Sequence, residues 1–372
     1  MGRGNPVRDA GGPEPRTRRV HFYGSGGTLF GIHVVNVLLT LVTLGVYYFW
    51  AKVRIRAYLL GQTEVEGDRF AFHGRGRELL VGWLKALAIF GLPLLVLGTA
   101  PELLGAGQAT RVVAGVLSYT VILVFLPVAM VGARRYRLSR TSWRGIRLSF
   151  RGRTVDFIRL FVGGALLSMV TLGLFYPFFE ARRYAFMTSH AYFGNRPFRF
   201  DGRGWDLFVS YAIAAAVTIG GGAAVAVAIA VAVWVVPALV PAVVPETVFA
   251  AVAFAAAAVS VGTLVVAGLV WFWLSARKQR YFWDHTGFGS ARFRSTVTGR
   301  ALLKLTVGNV VLLILTLGLA WPWVTVRRAR FAVRYLAIEG DPDLAGVQQD
   351  AQTATATGEE LAGFLDVGFD LG

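Results

Sequence analysis

Long apolar runs alternate along the chain with short segments rich in arginine and aromatic residues. Residues 207–240, for example, contain only two plainly polar side chains, Ser210 and Thr218. A helix of about 20 apolar residues crosses the hydrocarbon core of a bilayer. The pattern therefore predicts an all-α polytopic membrane protein with about seven transmembrane helices, at 28–50, 79–99, 112–131, 155–179, 207–236, 247–274 and 301–324.

Composition agrees with a membrane protein. Of the 372 residues, 55% are hydrophobic and 16% are charged, whereas soluble domains average about 25% charged residues. The absence of cysteine excludes disulfides, thiolate metal sites and cysteine nucleophiles. The net charge of +17 comes from basic residues just outside the apolar runs, where anionic phospholipid headgroups lie. We therefore expect the lipid bilayer and these headgroups as partners, and no nucleic acid.

Three of the runs end in similar sequences. They are "TLGVYYFWAKVRIR" from Thr43, "TLGLFYPFFEARRY" from Thr171 and "TLGLAWPWVTVRRAR" from Thr316. Phe22 and Phe150, just ahead of the first two of these runs, are separated by the same 128 positions as Thr43 and Thr171. Such self-similarity indicates internal repeats.

The repeats divide the chain into five parts. We predict a disordered basic N-terminus (1–19), a first membrane unit (20–148), a second (149–291), a partial third (292–338) and a disordered acidic tail (339–372). In the basic linkers "TEVEGDRFAF" and "AYFGNRPFRF", Gly or Asn separates β-prone residues, which favours either short interfacial β-hairpins or irregular loops.

The orientation of the runs stays open at this level. If every run spans, each unit has three spans, the second unit is inverted relative to the first, and the two sides carry almost equal numbers of basic residues. We take full spanning as the expectation. In the alternative, the runs 28–50, 155–179 and 301–324 are re-entrant, and every basic linker lies in the cytoplasm.

A G-x-G pattern at the start of several runs suggests an anion site. It occurs at Gly24, Gly74 and Gly202, and backbone amides at a helix N-terminus attract phosphate. The hypothesis is binding of a lipid phosphate; the alternative is a flexible turn that lets the chain enter the bilayer. The candidate residues are Gly74, Arg75, Gly76, Gly202, Arg203 and Gly204, with Arg54, Arg182 and Arg327 just after the apolar runs.

Polar residues inside the apolar runs form a second candidate. Asn36 and Asn309 each lie seven residues before a TLG sequence, and His33 lies one helical turn before Asn36. They predict either a ligand or ion pathway or hydrogen bonds between helices. The histidines lack metal-ligand spacing, and nucleophile-elbow and Walker A sequences are absent. We therefore expect no enzyme activity, no catalytic residues, no metal and no cofactor.

The repeated "TLG-x-x-x-P-W/F", the arginines after it and the "F-x-G-R-G" lead resemble the YjgN-like family of bacterial inner-membrane proteins, whose function is undetermined. The resemblance covers residues 20–338 and is most specific in "TLG…WAK-x-R", from Thr43 to Arg54. Pro177 and Pro322 match the family's proline, which Phe49 replaces in the first copy, and the Ala-rich stretch 212–260 departs from the pattern. The resemblance implies a multi-pass protein of the bacterial cytoplasmic membrane, without a substrate or catalytic residues to transfer.

Two functions are compatible with these features. The first is non-enzymatic binding or transport of a small solute or lipid by a repeat-built helical bundle. The alternative is a membrane-organising or envelope scaffold protein whose basic linkers bind anionic lipid headgroups.

Overall fold

A computed structural model describes residues 17–239 and 245–349. In this part of the chain, ten short strands form one closed antiparallel barrel. The strands are β1 (Thr17–Phe22), β2 (Thr63–Val65), β3 (Asp68–Phe72), β4 (Thr141–Trp143), β5 (Ile146–Phe150), β6 (Ala191–Phe193), β7 (Arg196–Phe200), β8 (Thr286–Phe288), β9 (Ala291–Ser295) and β10 (Leu336–Glu339).

The barrel is a meander whose first and last strands pair with each other. Each strand pairs with its neighbours in the chain, and β1 closes the circle by pairing with both β2 and β10. Tight turns join the strands at one end of the barrel. Two of these turns are Glu66–Gly67 and Arg144–Gly145, and all four residues have positive φ, as the turn that matches the twist of a hairpin requires.

The connections at the other end of the barrel are helical. The helices are α1 (Gly26–Val42), α2 (Tyr48–Gly61), α3 (Gly76–Ala86), α4 (Leu92–Leu103), α5 (Gln108–Ser139), α6 (Thr154–Val170), α7 (Tyr176–Ser189), α8 (Gly204–Leu239), α9 (Pro245–Asp284), α10 (Gly299–Leu315) and α11 (Trp321–Arg334). A π-helical segment, Leu87–Gly91, joins α3 to α4, so that the two form one rod.

These helices form five hairpins, each of which leaves the barrel and returns to it. Hairpins 1, 3 and 5 are short and consist of α1–α2, α6–α7 and α10–α11. Hairpins 2 and 4 are long and consist of α3–α5 and α8–α9. Each predicted full unit thus contains one short and one long hairpin, and the partial third contains a short one.

The TLG sequences form the turns of the three short hairpins. In hairpin 1, Thr43 ends α1, and Leu44 and Gly45 follow with φ of 51° and 94°. The Gly45 amide donates to the Thr40 carbonyl at 2.7 Å, a bond typical of a Schellman helix end. The Tyr47 amide donates to Thr43 Oγ1 at 2.9 Å, which starts the next helix. Equivalent bonds occur at the other two turns, between Gly173 and Ser168, Phe175 and Thr171, Gly318 and Leu313, and Ala320 and Thr316.

Within the described residues, four helices are long and apolar enough to cross a membrane: Gly76–Leu103, Gln108–Ser139, Gly204–Val231 and Ala253–Asp284. The predicted count of seven is not confirmed. Each of the runs 28–50, 155–179 and 301–324 is broken at TLG and turns back, as in the re-entrant alternative. Their first helices have 17 residues, which rise about 26 Å against a hydrocarbon core of about 30 Å.

Two further expectations need correction. The fold is not all-α, because the predicted β-hairpins are present and pair edge to edge into a barrel, which removes their unpaired edges. The termini were expected to be disordered through residue 19 and from residue 339. Instead β1 begins at Thr17, β10 ends at Glu339, and residues 341–349 pack on the barrel; the rest of both termini lies outside the described residues.

Aromatic and aliphatic side chains fill the barrel. Trp143 of β4, Phe193 of β6 and Phe288 of β8 are buried and pack together inside the barrel. Val65, Phe70, Ile146, Leu148, Phe198 and Phe293 pack against them. Aromatic side chains of the linkers therefore form a packed cluster inside the barrel.

The segment after β10 covers the barrel at its tight-turn end. Leu344 and Val347 pack on the aromatic core. Asp343 pairs with Arg196 at 2.9 Å, and the Arg147 amide donates to the Gln349 side chain at 2.8 Å. These contacts place the start of the predicted acidic tail against the β5–β7 strands.

The TLG turn predicts that two glycine substitutions in hairpin 3 change the stability of the protein in opposite directions. Gly173 has φ of +90°, so Gly173→Ala is expected to destabilise the protein by about 1 kcal/mol or more. Gly163 lies inside α6 with open space around it, so Gly163→Ala is the control and is expected to stabilise by about 0.5–1 kcal/mol. Thermal unfolding of the purified protein in detergent measures both. Equal melting temperatures would contradict the turn.

Candidate functional site: a basic belt between the barrel and the helices

The barrel brings the basic residues of the linkers to one level. The returning helices α2, α5, α7, α9 and α11 each run directly into a strand at the same end of the barrel. Residues at equal distances before these strands therefore lie at similar heights. We define the basic belt as the cations six to nine positions before the strand: Arg54, Arg56, Arg134, Arg135, Arg182, Arg183, Arg277, Lys278, Arg280, Arg327, Arg328 and Arg330.

The predicted lipid-binding arginines belong to the exposed part of this belt. Arg54, Arg182 and Arg327 occupy equivalent positions in the three short hairpins, and all three are exposed. The Arg54 guanidinium donates to the Tyr47 hydroxyl at 3.1 Å, and the Arg182 guanidinium lies 5.6 Å from the Phe175 ring centre. Both side chains therefore extend along their helices towards the hairpin turn.

Two belt cations, one in hairpin 1 and one in hairpin 2, are more deeply placed. Arg56 and Arg134 occupy equivalent positions on α2 and α5, and Arg134 Nε is buried without a hydrogen-bond partner among the described residues. Burial lowers the pKa of Arg56, and the nearby positive charge of Arg137 lowers the same pKa further. Because like charges gather here, an anion would be stabilised at this end of hairpin 2.

One acid lies next to the belt, and our sequence analysis missed its role. Glu180 on α7 is buried. Its Oε1 lies 2.6 Å from Lys278 Nζ on α9, and its Oε2 accepts from the Tyr211 hydroxyl on α8 at 2.7 Å. The three residues are far apart in the chain, so only the ring arrangement of the helices brings them together.

The G-x-G glycines lie where each outgoing helix leaves the barrel. A Cβ on Gly74 would lie 2.5 Å from the Phe72 ring, and a Cβ on Gly202 equally close to the Phe200 ring. The second glycine faces the preceding returning helix: a Cβ on Gly76 would lie 2.4 Å from Trp50, and one on Gly204 would lie 2.9 Å from Phe178. Close packing therefore explains these glycines.

The arginines of the G-x-G pattern contribute backbone groups to this joint. The Arg203 carbonyl accepts from the Tyr281 hydroxyl at 2.7 Å, and the Arg75 carbonyl accepts from the Tyr136 hydroxyl at 3.4 Å. The Arg75 amide donates to the Glu78 carboxylate at 3.3 Å, so a carboxylate already lies at the start of α3. Both arginine side chains are exposed, and phosphate binding by them stays a prediction.

The intramembrane amides are buried as expected for polar residues that face protein. Asn36 and Asn309 are 2% and 3% exposed, and neither side-chain nitrogen nor oxygen has a hydrogen-bond partner within the described structure. His33 is half-buried. In hairpin 3 the equivalent residue is Gly164, which faces the Phe179 ring. The structure thus shows no hydrogen bonds between helices for these two amides.

The Glu180 cluster predicts that the stability lost when the Glu180 charge is removed is recovered when the Lys278 charge is removed as well. Glu180→Gln leaves the Lys278 ammonium without its carboxylate, and breaking a buried pair costs about 3–5 kcal/mol. The double variant Glu180→Gln/Lys278→Met removes both charges and is expected to recover most of the loss. The control is Asp156→Asn, which removes an exposed acid with ion pairs at 3.9 and 4.0 Å and should change stability by less than about 1 kcal/mol. Unfolding in detergent measures all three; a double variant no more stable than Glu180→Gln would contradict the pairing.

Comparisons with known proteins give a family and a location. The model of the family described as "Bacterial protein of unknown function (DUF898)" matches residues 17–364. Inner membrane protein YjgN of Escherichia coli O157:H7 is 35% identical over 129 residues, which are 35% of this chain and 30% of that protein. Inner membrane protein YjgN of Salmonella typhimurium is 25% identical over 177 residues, 41% of this chain and 42% of that protein.

The matched region spans less than half the length of these curated relatives. No solved structure matches the chain. Together with the four apolar helices, the relatives place this protein in a bacterial inner membrane. Because the family model matches residues 17–364 of the 372-residue chain, the chain belongs to the DUF898 family of bacterial proteins of unknown function.

Proposed function

We propose that the protein binds anionic phospholipids of the cytoplasmic leaflet, without enzymatic chemistry, through the basic belt. The observation that carries the proposal is the common level of the belt cations, directly between the barrel and the apolar helices. Lipid phosphates lie at this boundary of a membrane, and each nearby Lys or Arg contributes about 1 kcal/mol of attraction to an anionic surface.

The distribution of charge supports a cytoplasmic barrel. All five hairpins return their basic residues to the barrel end. The connection at the far end of hairpin 2, residues 104–107, is uncharged, and so is the sequence 240–244 between α8 and α9. Since cytoplasmic segments carry the excess of Lys and Arg, the barrel side is the inside.

The surface of the short hairpins supports re-entry from that side. Leu44, Leu172 and Leu317 at the turns are 94%, 94% and 92% exposed. Leucines this exposed are stable in hydrocarbon and costly in water. In this topology the short hairpins dip into the bilayer, the long hairpins cross it, and the exposed belt arginines lie beside the headgroups.

Binding or transport of a small polar solute within the helices is a second candidate. It is favoured by the amides of Asn36 and Asn309, which are buried and make no hydrogen bond within the described chain. A polar group at this depth is stabilised when a ligand or water completes its hydrogen bonds.

The topology predicts which sites a membrane-impermeant maleimide reaches. The chain has no cysteine, so maleimide labels only the single cysteine that each variant introduces. Arg69→Cys and Arg199→Cys, both exposed on the barrel, are expected to react in inside-out vesicles and not in spheroplasts. Ala106→Cys, between α4 and α5, is expected to do the reverse and is the control for sidedness. If all seven runs span the membrane, residues 69 and 199 lie on opposite sides. Labelling of one of these two sites in inside-out vesicles and of the other in spheroplasts would therefore contradict re-entry.

The belt predicts selective lipid retention. The variant with Gln at Arg54, Arg182 and Arg327 removes three exposed belt cations. At about 1 kcal/mol per cation, each change is expected to weaken phosphatidylglycerol binding roughly fivefold. Native mass spectrometry of protein from mixed phosphatidylglycerol and phosphatidylcholine micelles measures the retained lipids.

The matched control removes the same charge from the barrel wall. It carries Gln at Arg69, Arg147 and Arg199, which are also exposed, and it is expected to keep the preference for phosphatidylglycerol. Equal lipid retention by the belt variant and the wild type would contradict the proposal and favour the polar-solute candidate.

A further inference from the structure

An apolar cavity of about 900 Å³ lies where short hairpin 1 meets long hairpin 2. Its walls come from the turn of hairpin 1, from α2, from the α3–α4 rod and from α5, so it is a formed crevice rather than a flat helix face. Lining residues include Tyr48, Phe49, Trp83, Phe90, Leu94 and Phe125. This size is within the range of ligand pockets, about 300–1,000 Å³.

The difference in hairpin length and a helix irregularity create this crevice. Hairpin 1 turns back at Leu44 and Gly45, whereas the α3–α4 rod beside it continues towards the far side. The π-helical segment Leu87–Gly91 lies in the cavity wall, and π-helical turns often occur at functional sites. The cavity is therefore at membrane depth, among apolar segments of the helices.

The equivalent place in hairpins 3 and 4 holds the Glu180 cluster. Lys52 and Glu180 each lie eleven residues before the following strand, and Trp83 and Tyr211 each lie seven residues after the second glycine of their lead. There, Glu180 joins Tyr211 and Lys278 in the hydrogen-bonded cluster described above. In hairpin 2 the position that corresponds to Lys278 is Ala133.

The charge at the cavity wall distinguishes the two places. The buried acid Glu180 is replaced by Lys52, whose ammonium lies 4.9 Å from the Tyr48 ring centre and lines the cavity. Exposed Arg54 of the belt follows two residues later. A ligand that suits both the apolar walls and this cationic rim has a long hydrocarbon chain and an anionic head.

We propose that this cavity holds one acyl chain of an anionic phospholipid from the inner leaflet, with its phosphate beside Lys52. The proposal rests on the lipid binding proposed for the belt and makes it specific, because it assigns one lipid to one place among five similar hairpins.

The test is photocrosslinking with phosphatidylglycerol that carries a diazirine in one acyl chain, on the full-length protein in vesicles. Leu87→Trp fills the cavity, since Leu87 lines it and is 45% exposed. Its matched control is Leu92→Trp, a 54% exposed leucine of the same rod outside the lining. We expect labelled peptides from α2 and the α3–α4 rod, and a loss of labelling of about tenfold in Leu87→Trp alone, as for roughly 60 Å² of lost apolar contact.

Lys52→Gln examines the headgroup, with Lys85→Gln on α3 as its control. We expect Lys52→Gln to reduce crosslinking by the phosphatidylglycerol probe and to leave crosslinking by the matching phosphatidylcholine probe unchanged. Equal labelling in Leu87→Trp and Leu92→Trp, with the belt variant still losing phosphatidylglycerol, would overturn the cavity and leave the belt proposal intact. If Leu87→Trp loses cavity labelling while the belt variant retains phosphatidylglycerol as the wild type does, the binding proposed for the belt is contradicted and the lipid site in the cavity is supported.

Discussion

Pairing of the first strand with the last is the interaction on which the architecture depends. Backbone hydrogen bonds between β1 and β10 close the sheet, and the closed sheet then sets the positions at which all helices leave and return. Most helix residues in the apolar segments are not buried by other helices. The helices are therefore arranged mainly by their attachment to the barrel, and the bilayer completes their packing.

The joint between sheet and helix is made from small and aromatic residues in contact. The glycines at positions 24, 74, 152 and 202 lie against phenylalanine rings of the strand just before them. A tyrosine from the returning helix then binds the backbone of the outgoing one, as Tyr58 does at Ser25 and Tyr281 does at Arg203. Arg75 and Arg203 beside the joint are exposed, so their side chains are accessible to lipid.

Much of this could be predicted from local sequence. Apolar length indicated the long hairpins, Gly and Asn between β-prone residues indicated the β-hairpins, and arginines after apolar runs indicated an interface. Barrel closure could not be predicted, because strands of three to six residues carry little signal and pair across long distances. The Thr-Leu-Gly turns were visible as repeats, but their positive φ at Leu44, Leu172 and Leu317 is not a preference of leucine.

The candidate site likewise has a part that local sequence predicts and a part that it does not. The exposed belt arginines were predicted because their charge stands out beside apolar residues. The Glu180 cluster and the cavity at Lys52 were not, because each combines residues from three or more helices. The two places are equivalent but carry opposite charges at Glu180 and Lys52. This equivalence becomes visible only in the three-dimensional arrangement of the five hairpins around the barrel.

Closure of the barrel by its first and last strands also has a consequence for biogenesis. The partner of Thr17 is Glu339, so the last contact of the sheet forms only after every hairpin between the two strands has been synthesised. Until then β1 presents an unpaired edge, a hazard for aggregation and mispairing. An incomplete chain thus differs from a finished one by an open sheet, with the edge of β1 unpaired.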